Sequence, residues 1–142
     1  MTGRTVKIQE PLAAIKKLLA GTPEIRFAYV FGSYGRGDAG PLSDVDIAVW
    51  VEDAVEPFHF RLKLMEELSR LLKTERFDLV TLNDASPVLR YEVVRDGRVV
   101  KEDKSRRVEF ETRTLSEYLD TAHLRDVQSR YLKEQLGGFR GQ

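Results

Sequence analysis

Asp44 and Asp46 stand two positions apart within an apolar run that contains Val45, Ile47, Ala48 and Val49, and they follow a turn holding Gly32, Gly35, Gly37 and Gly40. Alternate side chains of a strand share a face, so both carboxylates point one way while Val45, Ile47 and Val49 point into a core. At a rise of ~3.3 Å per residue their backbones lie about 7 Å apart. Carboxylates that close raise each other's proton affinity unless a cation lies between them. Magnesium suits such a pair, because it is commonly held by one or two carboxylates together with substrate phosphates. Upstream, Gly32 and Ser33 leave an apolar strand and open the turn. Free N–H groups at such a point favour an anion, a glycine lets it approach, and the serine adds a hydroxyl donor. The stretch from 31 to 49 therefore reads as a phosphate and metal site.

Three other patterns overlap these residues. Gly35-x-Gly37-x-x-Gly40 matches the dinucleotide fingerprint as a string, but that fingerprint must open a helix, and here Pro41 and a strand follow. A Walker-type loop needs a Gly-Lys-Ser/Thr ending, which the sequence lacks. Nucleotide-sugar glycosyltransferases also carry Asp-x-Asp, after a larger nucleotide-binding domain than the residues before Asp44 allow.

Gly-Ser, ten intervening residues and Asp-x-Asp together resemble the signature of the DNA polymerase β-like nucleotidyltransferase superfamily, and Gly32, Ser33, Asp44 and Asp46 match it position for position. The resemblance implies an α/β, polymerase β-like nucleotidyltransferase fold. Its expected form is a single domain with a small mixed sheet, helices mainly on one face and the acids on the other. It places Ser33 at the start of a short helical turn that holds a nucleotide's terminal phosphates, and makes Asp44 and Asp46 carriers of two magnesium ions. A third catalytic carboxylate is expected on a later strand, and Asp78 stands in a fitting position, as metal ligand or as base for the attacking hydroxyl. Arg36 is either a phosphate contact or a solvated loop arginine. Ser43 either caps the turn before Asp44 or touches phosphate.

The short chain looks like the minimal nucleotidyltransferase (MNT) branch, whose members lack the extra substrate domain of larger relatives. Many are antitoxins of HEPN-domain ribonuclease toxins. The resemblance thus implies an antitoxin that transfers AMP from ATP to a tyrosine of its toxin. Two alternatives stay open: transfer to a small-molecule hydroxyl with a partner subunit forming the acceptor pocket, and stoichiometric binding of the toxin without chemistry.

Composition sets the frame for these residues. The 142 residues are 42% hydrophobic and 32% charged, as expected of one soluble domain, and no apolar stretch approaches bilayer length. Without cysteine there are neither disulfides nor thiolate metal sites. No signal pattern is visible, and a cytoplasmic location is the expectation. Lys plus Arg and Asp plus Glu balance at 23 each, which argues against direct nucleic-acid binding.

The elements that must position the site follow from periodicity. Leu12, Ile15, Leu18 and Leu19 predict a helix over 11–20 that covers the sheet, and the β-branched and aromatic run 25–31 predicts the strand that delivers Gly32. A second strand is expected over 45–51, a core-facing helix over 58–73 and a third strand over 76–82. Within that third strand, burial of Asp78 would require a partner for its charge. Ser86 and Pro87 open a helix to about 95, and 99–100 form a short edge strand. His59 and His123 read as surface residues. The organisation expected is a core over 1–104, with 1–7 a loose start or short strand, a C-terminal helical segment over 105–136 and a disordered tail over 137–142. Leu115, Tyr118, Leu119, Tyr131 and Leu132 offer that segment apolar area for a partner.

Overall fold

Strand β1 (Ile25–Phe31) lies between two antiparallel neighbours, β2 (Val45–Val51) and β4 (Arg98–Lys101), and β2 pairs in parallel with β3 (Phe77–Thr81). The order across the mixed sheet is β3-β2-β1-β4, so β3 and β4 form its edges. The computed structural model describes residues 9–40, 43–53 and 55–140, and the loose start or strand expected within 1–7 lies outside the described residues. A parallel neighbour requires a crossover, which α3 (Pro57–Leu72) supplies between β2 and β3. Glu56 caps α3 by accepting the N–H groups of Phe58 and His59, and His59 is exposed beside it.

One face of the sheet is covered by α1 (Gln9–Ala20) and α3. Leu12, Ile15 and Leu19 of α1 and Leu64 and Leu68 of α3 bury Val30, Val45, Ile47, Val49 and Leu79. This is the apolar half of the alternation read from the sequence. A register shift between Ile25 and Phe27 places Ile25 on that face while Phe27, Tyr29 and Phe31 turn to the other. There they form an aromatic core in which Phe27 stacks on Trp50 at 5.9 Å.

The second face is not left to the acids alone. Val93 of α4 (Pro87–Asp96) and Phe110 of α5 (Lys104–Arg140) pack on its aromatic part, so helices lie on both faces, and Asp46 and Asp78 sit toward the β3 edge. Buried Tyr29 donates from its hydroxyl to Glu111 Oε2 at 2.6 Å, and Arg107 donates to the same oxygen at 3.0 Å, which fastens the start of α5. Burial, and then the Glu111 carboxylate, push the phenol's proton affinity well above its ordinary value.

Helix α5 has 37 residues, about 55 Å at 1.5 Å each. Its first turns belong to the core. Tyr118, half-buried, stacks on Tyr91 at 3.8 Å and so takes part in internal packing. Beyond it the helix outruns the domain, leaving Leu119, Leu124, Tyr131, Leu132 and Leu136 exposed. α5 runs through Arg140, and 141–142 of the tail expected over 137–142 lie outside the described residues.

Candidate active site

β1 ends at Phe31, whose extended backbone caps α2 (Gly32–Arg36) and offers the first turn no side-chain hydrogen bond. The opening N–H groups of α2 therefore have no side-chain acceptor at the cap. Gly32 has a φ of 65°, in the left-handed region. A Cβ there would lie 2.1 Å from Asp46 Oδ2, so the missing side chain is also what lets the carboxylate come up against the turn. At the other end Gly37, with φ 86°, donates its N–H to Ser33 O at 3.0 Å and stops the helix. Ser33 thus stands in the first turn, half-buried, beside the strand that carries the acids.

Asp46 and Asp78 are Cα partners on the parallel strands β2 and β3, so their side chains emerge on one face, ~4.8 Å of strand spacing apart. Asp44 precedes β2, is exposed, and accepts from Arg76 Nε at 3.2 Å. Burial raises the pKa of Asp46; the charges of Asp78 and then Asp44 raise it further, while Arg36 pulls it down. Asp44 and Asp78 therefore both act on Asp46. Asp78 is exposed on the edge strand β3, so its charge meets water and needs no buried partner. Ser43 Oγ accepts the Gly40 N–H at 2.9 Å, which makes it the cap of the turn into Asp44.

Arg36 closes α2 and is held by two acids, Asp38 at 3.3 Å and Asp96 at 3.5 Å. Asp96 was not singled out from the sequence, since it lies sixty residues from Arg36 in the chain. The local signal for that contact is Gly35, where a Cβ would meet Asp96 O at 2.4 Å and Val30 O at 2.7 Å.

Among the described residues no three acidic or histidine side chains converge as a ready-made metal cage. Asp46 and Asp78 nevertheless supply hard oxygen donors side by side, and burial first, then the charges of Asp78 and Asp44, raise the proton affinity of Asp46, a charge that a cation would neutralise. The donor set fits a divalent ion whose coordination is completed by phosphate oxygens.

The family model described as "Polymerase beta, Nucleotidyltransferase" matches residues 13–106. The chain is 35% identical over 104 residues to the protein adenylyltransferase MntA of Shewanella oneidensis, covering 73% of each. A crystal structure of a toxin-antitoxin with AMP-PNP contains a chain similar at TM-score 0.70 and 31% identity, over 88% of this chain and 98% of that one. A structure of tri-AMPylated Shewanella oneidensis HEPN toxin in complex with MNT antitoxin contains another, at TM-score 0.67 and 29% identity, over 92% and 99%.

Proposed function

We propose a function from one premise: the chain belongs to the polymerase beta nucleotidyltransferase family. It is a nucleotidyltransferase of the antitoxin type. The specific reaction is transfer of AMP from ATP to a tyrosine hydroxyl of a HEPN-domain toxin encoded beside it, which neutralises the toxin. The observation that carries this reading is the pairing of Asp46 with Asp78 on one face, with Asp46 directly against the side-chain-free Gly32 at the mouth of α2. Support for the substrate and partner comes from the protein adenylyltransferase relative and from the similar chains found with AMP-PNP and with an AMPylated HEPN toxin. An ATP substrate also favours a cytoplasmic setting.

The tyrosine oxygen attacks the α-phosphorus in line, the bond from that phosphorus to the bridging oxygen breaks, and pyrophosphate leaves. Ser33 and the first-turn N–H groups of α2 hold the phosphate tail, and Arg36 meets its charge. Asp44, Asp46 and Asp78 are the carboxylates that would hold magnesium, with Asp78 exposed on the side from which an acceptor arrives and able to take the hydroxyl proton. Bound there, magnesium would supply charge stabilisation to the reacting phosphate. The exposed distal half of α5 is the surface we assign to the toxin, which then brings its own tyrosine.

The test uses ATP labelled at the α- or the γ-phosphate, with magnesium and the co-encoded toxin. Label from the α position should become covalent on the toxin and label from the γ position should leave in pyrophosphate. Covalent γ-label would make the protein a kinase and overturn the reading.

A further inference from the structure

An acid at the last residue of a helix faces the negative end of the helix dipole, and Asp96 holds that place in α4. What offsets this is a pair of arginines. Arg95 donates from Nε at 3.0 Å and from a terminal nitrogen at 3.1 Å, and Arg36 reaches the same carboxylate from the end of α2 at 3.5 Å. The Asp96 side chain is 15% exposed and that of Arg36 48%, so the acid is the more buried member of the pair. The backbones are locked as well: Gly35 rests so close to Asp96 O and Val30 O that no Cβ fits between them.

We propose that Asp96 is a positioning residue for the nucleotide site: it holds Arg36 at the end of α2, so that the guanidinium already faces the phosphates of a nucleotide seated on that turn. An unrestrained arginine loses much rotamer freedom when it binds phosphate, and a partner that orders it beforehand removes part of that cost. Asp38 restrains Arg36 from its own turn, whereas Asp96 ties it to a different layer of the fold. The end of α4 thereby sets where the phosphate-facing charge stands. This rests on the nucleotidyltransferase reading above.

The experiment is a double-mutant cycle on ATP binding, read by calorimetry with magnesium, over wild type, Asp96→Asn, Arg36→Ala and the double variant. Asp96→Ser runs in parallel so that a folding defect in one variant does not decide the outcome. Loss of the Asp96 charge should weaken ATP binding about two- to fivefold in the wild-type background and leave it unchanged in the Arg36→Ala background. An equal loss in both backgrounds, or no loss in either, overturns the coupling while the nucleotidyltransferase reading stands. A wild-type protein that binds no ATP overturns both.

Discussion

Gly32 carries two constraints at once, a positive φ and a missing side chain where an Asp46 oxygen lies. Gly32→Ala should therefore destabilise the fold by about 1–3 kcal/mol and displace Asp46, measured as a lower denaturation midpoint together with lost transfer. Ser33→Ala should keep the fold and slow transfer by roughly tenfold to a thousandfold, as for one donor removed from developing charge. A nucleotide covalently bound to Ser33 would instead make it a nucleophile and contradict its holding role. Asp46 yields a pH prediction for the metal-free protein. Its pKa is raised in the folded state, so the folded state binds the proton more tightly than the unfolded chain, and stability is lost as pH rises through the folded pKa. Asp46→Asn should thus melt above wild type at neutral pH in the presence of chelator. The difference should vanish as pH falls through the carboxylate range, and thermal melts at several pH values would show it. Equal melting points at neutral pH would mean that neither burial nor the neighbouring acids penalise the Asp46 charge.

Among the elements, α2 depends on α4 through Gly35, because both atoms a Cβ would strike are backbone carbonyl oxygens that cannot swing aside. Gly35→Ala should cost more stability than an alanine at Gly40, where a Cβ meets nothing within 4 Å, and comparing the two denaturation midpoints checks it. The bounds of β1 and β2 were legible in the sequence because apolar and β-branched residues, interrupted in each strand by a single charge, Arg26 or Asp46, fill Ile25 to Phe31 and Val45 to Val51. The register shift at Arg26 was not legible, and it decides that Phe27 and Tyr29 face α4 and α5. The exposure of Asp78 was hidden for a related reason: the run around it reads as a buried strand, and strand order, which makes β3 an edge, is a long-range property. Gly32, Ser33, Asp44 and Asp46 were readable because their chemistry depends on spacing along one segment. Asp96 depends on a contact between segments, and its local trace, Gly35, does not say which distant residue it meets.

At the scale of the whole molecule, half of α5 projects from a domain whose own core is complete without it. Leu119 is 70% exposed and Tyr131 59%, so charges placed there meet water and not the core. Leu119→Asp together with Tyr131→Asp should leave the monomer folded and ATP binding intact while abolishing association with the co-encoded toxin, as read by size-exclusion chromatography of the mixture. Association undiminished would move the contact surface elsewhere. The central claim, that Asp46 and Asp78 beside Gly32 form a centre that adenylylates a protein partner, is tested most directly by the intact mass of the toxin. The toxin is incubated with ATP and magnesium, with the wild-type chain or with Asp46→Asn. The account predicts a mass increase of one or more AMP groups, located on tyrosine, with wild type and none with the folded Asp46→Asn variant. The same increase with both proteins, or an unmodified toxin with both, would contradict it.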